Sequence, residues 1–240
     1  MGSHDSYFAE YASRYDAIQQ VHIEMYNTYH SIALDFLPST HEESPRILDL
    51  GCGTARFLEQ AMMRLPNASA VAVDNSQEML DVAAAKPGFN GRRVQFIQRD
   101  LTSGLPQDLG AFDLVCSFSA VHHLSDEHKA RLFRQVREVL RPGGWFFLID
   151  PMIETFDKDV FSTGRTRETR LRAERIARSR IDEETIRHLE HVKKSLGTDS
   201  PEKDRFGSLD DYVKWMHEAG FKSVDHIWHF WMEHFFICRS

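Results

Sequence analysis

Short apolar runs alternate with amphipathic stretches through the middle of the chain. The runs at 46–51, 69–74, 94–99, 112–117 and 144–149 are rich in Val, Ile, Leu and Phe and read as strands. Between them, 55–65, 76–85 and 126–140 place apolar residues at helical spacing. Strands alternating with helices predict an α/β fold with a parallel, doubly wound sheet that binds ligands at the carboxyl ends of its strands. Helix-like material over 7–36, with Tyr11, Tyr15, Tyr26, Tyr29, His22 and His30, precedes this core. From Met152 to about Arg205 the rhythm breaks into a polar, helix-prone insertion bounded by Pro151 and Pro201. Ser208 then reads as the N-cap of a helix ending at Glu218, with Asp210 and Asp211 in its first turn and Gly220 beyond its end. Two last strands, near 223–230 and 233–238, read as an antiparallel edge hairpin.

The stretch Arg46-Ile-Leu-Asp-Leu-Gly-Cys-Gly-Thr-Ala-Arg56 reads as a buried strand, a glycine turn and a helix start. Gly51 and Gly53 permit a tight turn in which backbone approaches a ligand closely. A dinucleotide fingerprint needs a third glycine at position 56, where this chain has Arg56, so that pattern fails. Asp49 beside the turn would repel a pyrophosphate but attract the ammonium and sulfonium of S-adenosylmethionine. Asp74 ends the second strand about 20 residues on, where an acid takes ribose hydroxyls. Asp100 ends the third, suited to an adenine amino group. Each acid alone reads equally well as a cap or a solvated charge; three at successive strand ends form a pattern.

With these motifs the chain resembles the class I S-adenosylmethionine-dependent methyltransferases, from about Tyr7 to the C-terminus. The resemblance implies a Rossmann-like seven-stranded sheet, parallel with an antiparallel C-terminal strand. It divides the chain into a helical N-terminal lid (1–40), a donor-binding core (41–151), a helical insertion (152–207) and a C-terminal helix and strand hairpin completing the core (208–240). It implies S-adenosylmethionine as cofactor, its methionine end held by Asp49, Gly51, Gly53 and Thr54. Asp74, Asn75 and Met79 then enclose ribose and adenine, while Asp100 and the backbone of Leu101 read the adenine. Ser117 lies on the fourth strand, whose end borders the donor, and Tyr15 in its Arg-Tyr-Asp stretch touches the donor's carboxylate. Tyr26, Tyr29, Met152 and Trp228 are candidates for the acceptor side, though core packing suits such residues equally. The expected activity is in-line methyl transfer to a small-molecule acceptor.

His122 and His123 follow the fourth strand, and an imidazole there can orient a nucleophile or accept its proton near neutral pH. His122 is taken as the pocket-facing catalytic and acceptor-binding candidate, His123 as structural. His226, His229 and His234 suggest a metal, but their odd spacing on strands puts successive members on opposite faces, so no metal is expected. Val73-Asp-Asn-Ser-Gln-Glu-Met79 and His217-Glu-Ala-Gly-Phe221 also look like the carboxy-S-adenosylmethionine synthases of tRNA modification. Such an enzyme, with Lys193, Lys194 or an insertion arginine holding the extra carboxylate, or another RNA-modifying enzyme, is the alternative. A donor-binding subunit without catalysis is a third reading.

Composition narrows the partners. A length of 240 residues with 42% apolar content supports one α/β domain with additions. No apolar run approaches the roughly 18 residues of a membrane span, and the start shows no signal-peptide pattern. Cys52, Cys116 and Cys238 make no disulfide framework or zinc pattern, which suits a reducing cytoplasm. A formal charge of −7 disfavours nucleic acid, although 165–180 carries seven arginines against two glutamates. Those arginines suit an anionic substrate or RNA. With no interleaved aromatics, a solvated helix whose arginines pair with neighbouring acids is the preferred reading, and the expected assembly is a monomer or homodimer.

Overall fold

Strand β1 (Arg46–Leu50) lies at the centre of the sheet, with every residue after Arg46 buried. It pairs in parallel with β2 (Ser69–Asp74) and β4 (Phe112–Phe118). Around these run β3 (Arg93–Gln98), β5 (Leu140–Pro151), β6 (Ser223–Phe230) and β7 (Glu233–Arg239) in the order β3-β2-β1-β4-β5-β7-β6. All pairings are parallel except those of β7, which is antiparallel to both β5 and β6. The computed structural model describes residues 12–37, 44–153, 158–179, 181 and 204–240.

Strand alternation splits the buried side chains between the two faces. Leu48, Leu50, Val115, Phe146 and Phe236 join one cluster with Leu132, Phe133 and Val136 of α5 (Asp126–Val139) and Tyr212 and Met216 of α7 (Leu209–Glu218). Ile47, Leu114, Phe147 and Phe235 join the other, with Tyr29 and Ala33 of α2 (Tyr26–Asp35) and Phe57, Leu58 and Ala61 of α3 (Arg56–Arg64). Helices on both faces explain why the central strands read as unbroken apolar runs. Helix α4 (Gln77–Ala84) begins at Ser76, whose Oγ accepts from Met79 N, and the expected Ser208 cap of α7 accepts from Asp211 N at 3.1 Å.

Three features differ from or extend the sequence reading. The hairpin is antiparallel as expected, but its second strand, β7, inserts beside β5 and leaves β6 as the edge. Within β6 the register shifts between His226 and Trp228, so His226 faces Phe236 and His229 faces His234. The alternation argument therefore fails: this β-bulge adds one residue and turns His226 and His229 to the same face. His226 Nε2 lies 3.1 Å from His234 Nδ1, and the three rings sit 5.1–5.5 Å apart. Finally, α6 (Lys158–Arg178) docks on α1 (Tyr15–His22) and the turn after it. Arg167 grips Glu24 with both terminal nitrogens, at 3.0 and 3.2 Å, and Arg175 donates to Val21 O at 2.8 Å. Arg170 and Arg175 also pair with Glu174 and Glu168, so these arginines meet neighbouring acids.

Candidate active site

A cavity of about 350 Å³ opens at the carboxyl ends of β1, β2 and β4, with α1 and α2 contributing to its wall. Its size falls within the roughly 300–1,000 Å³ of small-molecule sites. The glycine turn forms one side. Gly51 and Gly53 have φ of +65° and +51°, and a Cβ on Gly51 would lie 2.3 Å from that of Ala120. The turn after β1 thus rests against the turn after β4, and only glycine fits the approach.

Asp74 ties this turn to the next. Its Oδ2 accepts from Gly53 N at 2.7 Å and its Oδ1 from Ser76 N at 3.0 Å. Burial raises its pKa while those backbone donors oppose the rise. Asp49 has a harsher environment. Burial pushes its pKa up to about 7, Asp74 adds to the rise, and a hydrogen bond from Cys116 opposes it. A buried carboxylate beside a glycine cradle fits a cationic ligand, because a positive charge would offset the cost of ionisation. Asp16 of α1 closes the turn from outside: it accepts from Thr54 Oγ1 at 2.6 Å and from Lys86 Nζ at 2.9 Å.

The wall brings together Tyr15, Asp49, Gly51, Gly53, Thr54, Asp74, Asn75, Met79, Asp100 and Leu101, all expected from sequence. Ser117 is absent from it; fully buried, it donates to Leu50 O at 2.8 Å. Among the acceptor-side candidates, Tyr26 and Tyr29 line the cavity, whereas Met152 is fully buried in the core and Trp228 packs on the edge strand. The paired histidines face differently from the expectation. His123 lines the cavity, while His122 is held by Asp150, Nδ1 to Oδ1 at 2.8 Å. Asp150 Oδ2 in turn accepts from Tyr212 Oη at 2.6 Å. Burial alone would depress His122, but the charge and hydrogen bond of Asp150 outweigh it and raise its pKa.

The wall also contains His30, Arg56, Phe118, Ser119 and Arg205, which sequence reasoning missed. In the sequence Arg56 stands out only as the absent third glycine of a dinucleotide fingerprint. Ser119 adopts φ of +52°, a strained conformation for a non-glycine residue and a marker of functional turns. His30 Nδ1 and Arg56 Nε are buried polar atoms without a hydrogen-bond partner among the described residues, and the buried hydroxyls of Tyr29 and Ser119 interact with each other. Burial, aided by Arg56, lowers His30 to about 3 and keeps it neutral; burial and Glu233 hold the Tyr29 phenol well above its ordinary value. Lys193 and Lys194 lie outside the described residues.

Residues 47–144 match the family model described as "Methyltransferase domain". A carboxy-S-adenosyl-L-methionine synthase of Nautilia profundicola is 24% identical over 144 residues, covering 60% of each chain. A malonyl-[acyl-carrier protein] O-methyltransferase of Halalkalibacterium halodurans is 28% identical over 159 residues, 65% of this chain and 56% of the relative. The chain thus spans less than two thirds of the length of these curated relatives. Among solved structures, the DhpI-SAM-HEP complex superposes over the whole of both chains with a TM-score of 0.60 at 21% identity, a likeness of fold. Together, the sheet order, the glycine turn and these likenesses make the chain similar to the class I S-adenosylmethionine-dependent methyltransferases, with residues 47–144 the part that matches the methyltransferase-domain model.

Proposed function

We propose that this chain transfers the methyl group of S-adenosylmethionine to a small polar acceptor held in the same cavity. The observation that carries this reading is the meeting of Asp49, Asp74 and Asp100 around one glycine turn in one cavity wall. Asp49 offsets the donor's positive charge, and the glycine turn admits its methionine end. Asp74, fixed by two backbone donors, keeps lone pairs for ribose hydroxyls, while Asp100, Leu101 and Met79 border the adenine. Tyr15 approaches the carboxylate from α1. The donor supplies a methyl group already activated on sulfonium, so the protein's task is alignment and exclusion of water. Helices α1 and α2 act as the lid that excludes it.

The acceptor side sets a few polar atoms among the rings of Tyr26, Phe57 and Phe118. His30 and Arg56 each present a buried polar atom that an acceptor's oxygen or nitrogen would satisfy, beside the paired hydroxyls of Tyr29 and Ser119. Of the adjacent pair, His123 is the cavity-facing imidazole, whereas His122 acts through the Asp150 network. Calorimetric titration with S-adenosylmethionine, S-adenosylhomocysteine and NAD tests the core of the reading. Binding of the first two and not the third is expected; failure of S-adenosylmethionine to bind would overturn it. A second reading, in which the bound donor itself carries an extra carboxylate, is favoured by the likeness to the Nautilia synthase. Mass spectrometry of nucleosides released from the denatured protein separates the two.

A further inference from the structure

Three side chains with metal-ligating atoms converge beside the cavity, away from the glycine turn. His122 Nε2 lies 3.7 Å from Asp204 Oδ1, and His123 Nδ1 lies 3.9 Å from the same oxygen. The ligand atoms of all three fall within 4.8 Å of one another. Such separations are too long for hydrogen bonds. They approach the spacing of ligands around one ion, since atoms about 2.1 Å from a metal sit roughly 3–4 Å apart at tetrahedral or octahedral angles.

The surroundings prepare each ligand. Asp150 holds His122 Nδ1 and is itself held by Tyr212, which fixes the ring and directs Nε2 towards Asp204. A carboxylate behind a histidine in this way is the usual support of a metal-bound imidazole. Asp204 arrives from a remote part of the chain and is stitched to the histidine turn by its neighbour. Arg205 N donates to His122 O at 2.7 Å, Arg205 Nη1 donates to His123 O at 3.1 Å, and Lys129 Nζ donates to Arg205 O. Two carboxylates thus flank His122, Asp150 at 2.8 Å from Nδ1 and Asp204 at 3.7 Å from Nε2.

We propose that His122, His123 and Asp204 form a binding site for a first-row divalent transition-metal ion, with its remaining positions open to water or an acceptor oxygen. Two imidazoles and one carboxylate select zinc, cobalt or iron over magnesium and calcium. His123 and Arg205 line the cavity, which places the ion at its edge. The inference is independent of methyl transfer, because its readout is the ion alone. Cobalt(II) titration of the full chain, followed by visible absorption and calorimetry, should show one tightly bound equivalent. Asp204→Asn and His123→Gln should each weaken it by at least about tenfold, as loss of a coordinating or supporting group does, with unchanged melting curves. His229→Gln, in the separate β6–β7 cluster, should bind as the parent does. If Asp204→Asn shifts the melting curve, His123→Gln decides alone. No cobalt uptake by the parent chain, or uptake undiminished in His123→Gln, would overturn the proposal.

Discussion

Donor binding should be linked to a proton on Asp49, and the size of the linkage follows from its burial. With a pKa of about 7, Asp49 is mostly protonated below neutrality in the empty cavity. A donor cation favours the carboxylate, so binding returns the group towards its ordinary value of 3.8. The sign is fixed: protonation competes with the donor, and affinity falls as pH falls through 7. Asp49 is about 6% ionised at pH 5.8 and about 60% at pH 7.2, which predicts roughly tenfold tighter binding at the higher pH, about 1.4 kcal/mol. This range stays below the α-amino pKa of about 7.7–8.0, so the donor's own ammonium contributes little. Calorimetry at pH 5.8 in two buffers of different protonation enthalpy should show nearly one proton released per donor bound. Burial also raises Glu233 to about 7, but its carboxylate is not part of the cavity wall, and Asp49→Asn separates the two. That variant should bind weakly with little pH dependence. A flat affinity profile in the parent protein, with no proton release, would refute the reasoning.

Gly51→Ala should destabilise the fold by about 2–4 kcal/mol, combining left-handed strain with the 2.3 Å approach to Ala120. Ala120→Gly in the same chain should recover only the steric share in urea unfolding. Asp74→Ala should weaken S-adenosylmethionine binding by about 1.5–3 kcal/mol, because it removes a charged acceptor and leaves Gly53 N and Ser76 N without one; unchanged affinity by calorimetry would contradict its role. Asp150→Asn breaks a buried pair and should cost about 3 kcal/mol. Because the His122 pKa is raised in the folded state, that pair stabilises fully below pH 6.5 and less as pH rises through the folded value. The decline in urea midpoint above pH 6.5 should therefore be smaller in the variant. Arg175→Ala should loosen α1 by about 1 kcal/mol, read as faster hydrogen exchange over 15–22 and faster donor release.

The doubly wound core was legible because each strand's own residues carry the signal. Ile47 to Leu50 and Leu114 to Cys116 are buried from both faces, and no polar alternation obscures them. What could not be read depends on pairing partners. Nothing local to Glu233–Arg239 says that it inserts between β5 and β6, since both hairpin strands are compatible with either position. The bulge between His226 and Trp228 was invisible for the same reason: periodicity assumes an unbroken ladder, and one extra residue inverts the faces after it. The arginines of α6 showed their charge in sequence but not their target, because Glu24 lies 143 residues from Arg167.

The same distinction divides the active site. Asp49, Asp74 and Asp100 lie at the ends of consecutive strands, so topology alone delivers them to one edge of the sheet, and their meeting in one wall could be expected from order along the chain. His122 and His123 sit in a single 3₁₀ turn (Val121–His123), where adjacent side chains diverge by about a third of a circle. Sequence cannot say which of them meets the cavity; that is settled by Asp150, at the far end of β5, which captures His122 and leaves His123 on the wall. One histidine is thereby locked by a buried carboxylate while its neighbour stands at the ligand's edge. Asp204, 81 residues beyond His123, approaches both. The end of the cavity at the glycine turn is thus written in local motifs, whereas Tyr29, His30, Ser119, His123 and Arg205 join its wall only when α2, the turn after β4 and the segment before α7 are brought together. Changes in that segment should alter what the cavity accepts while leaving donor binding intact.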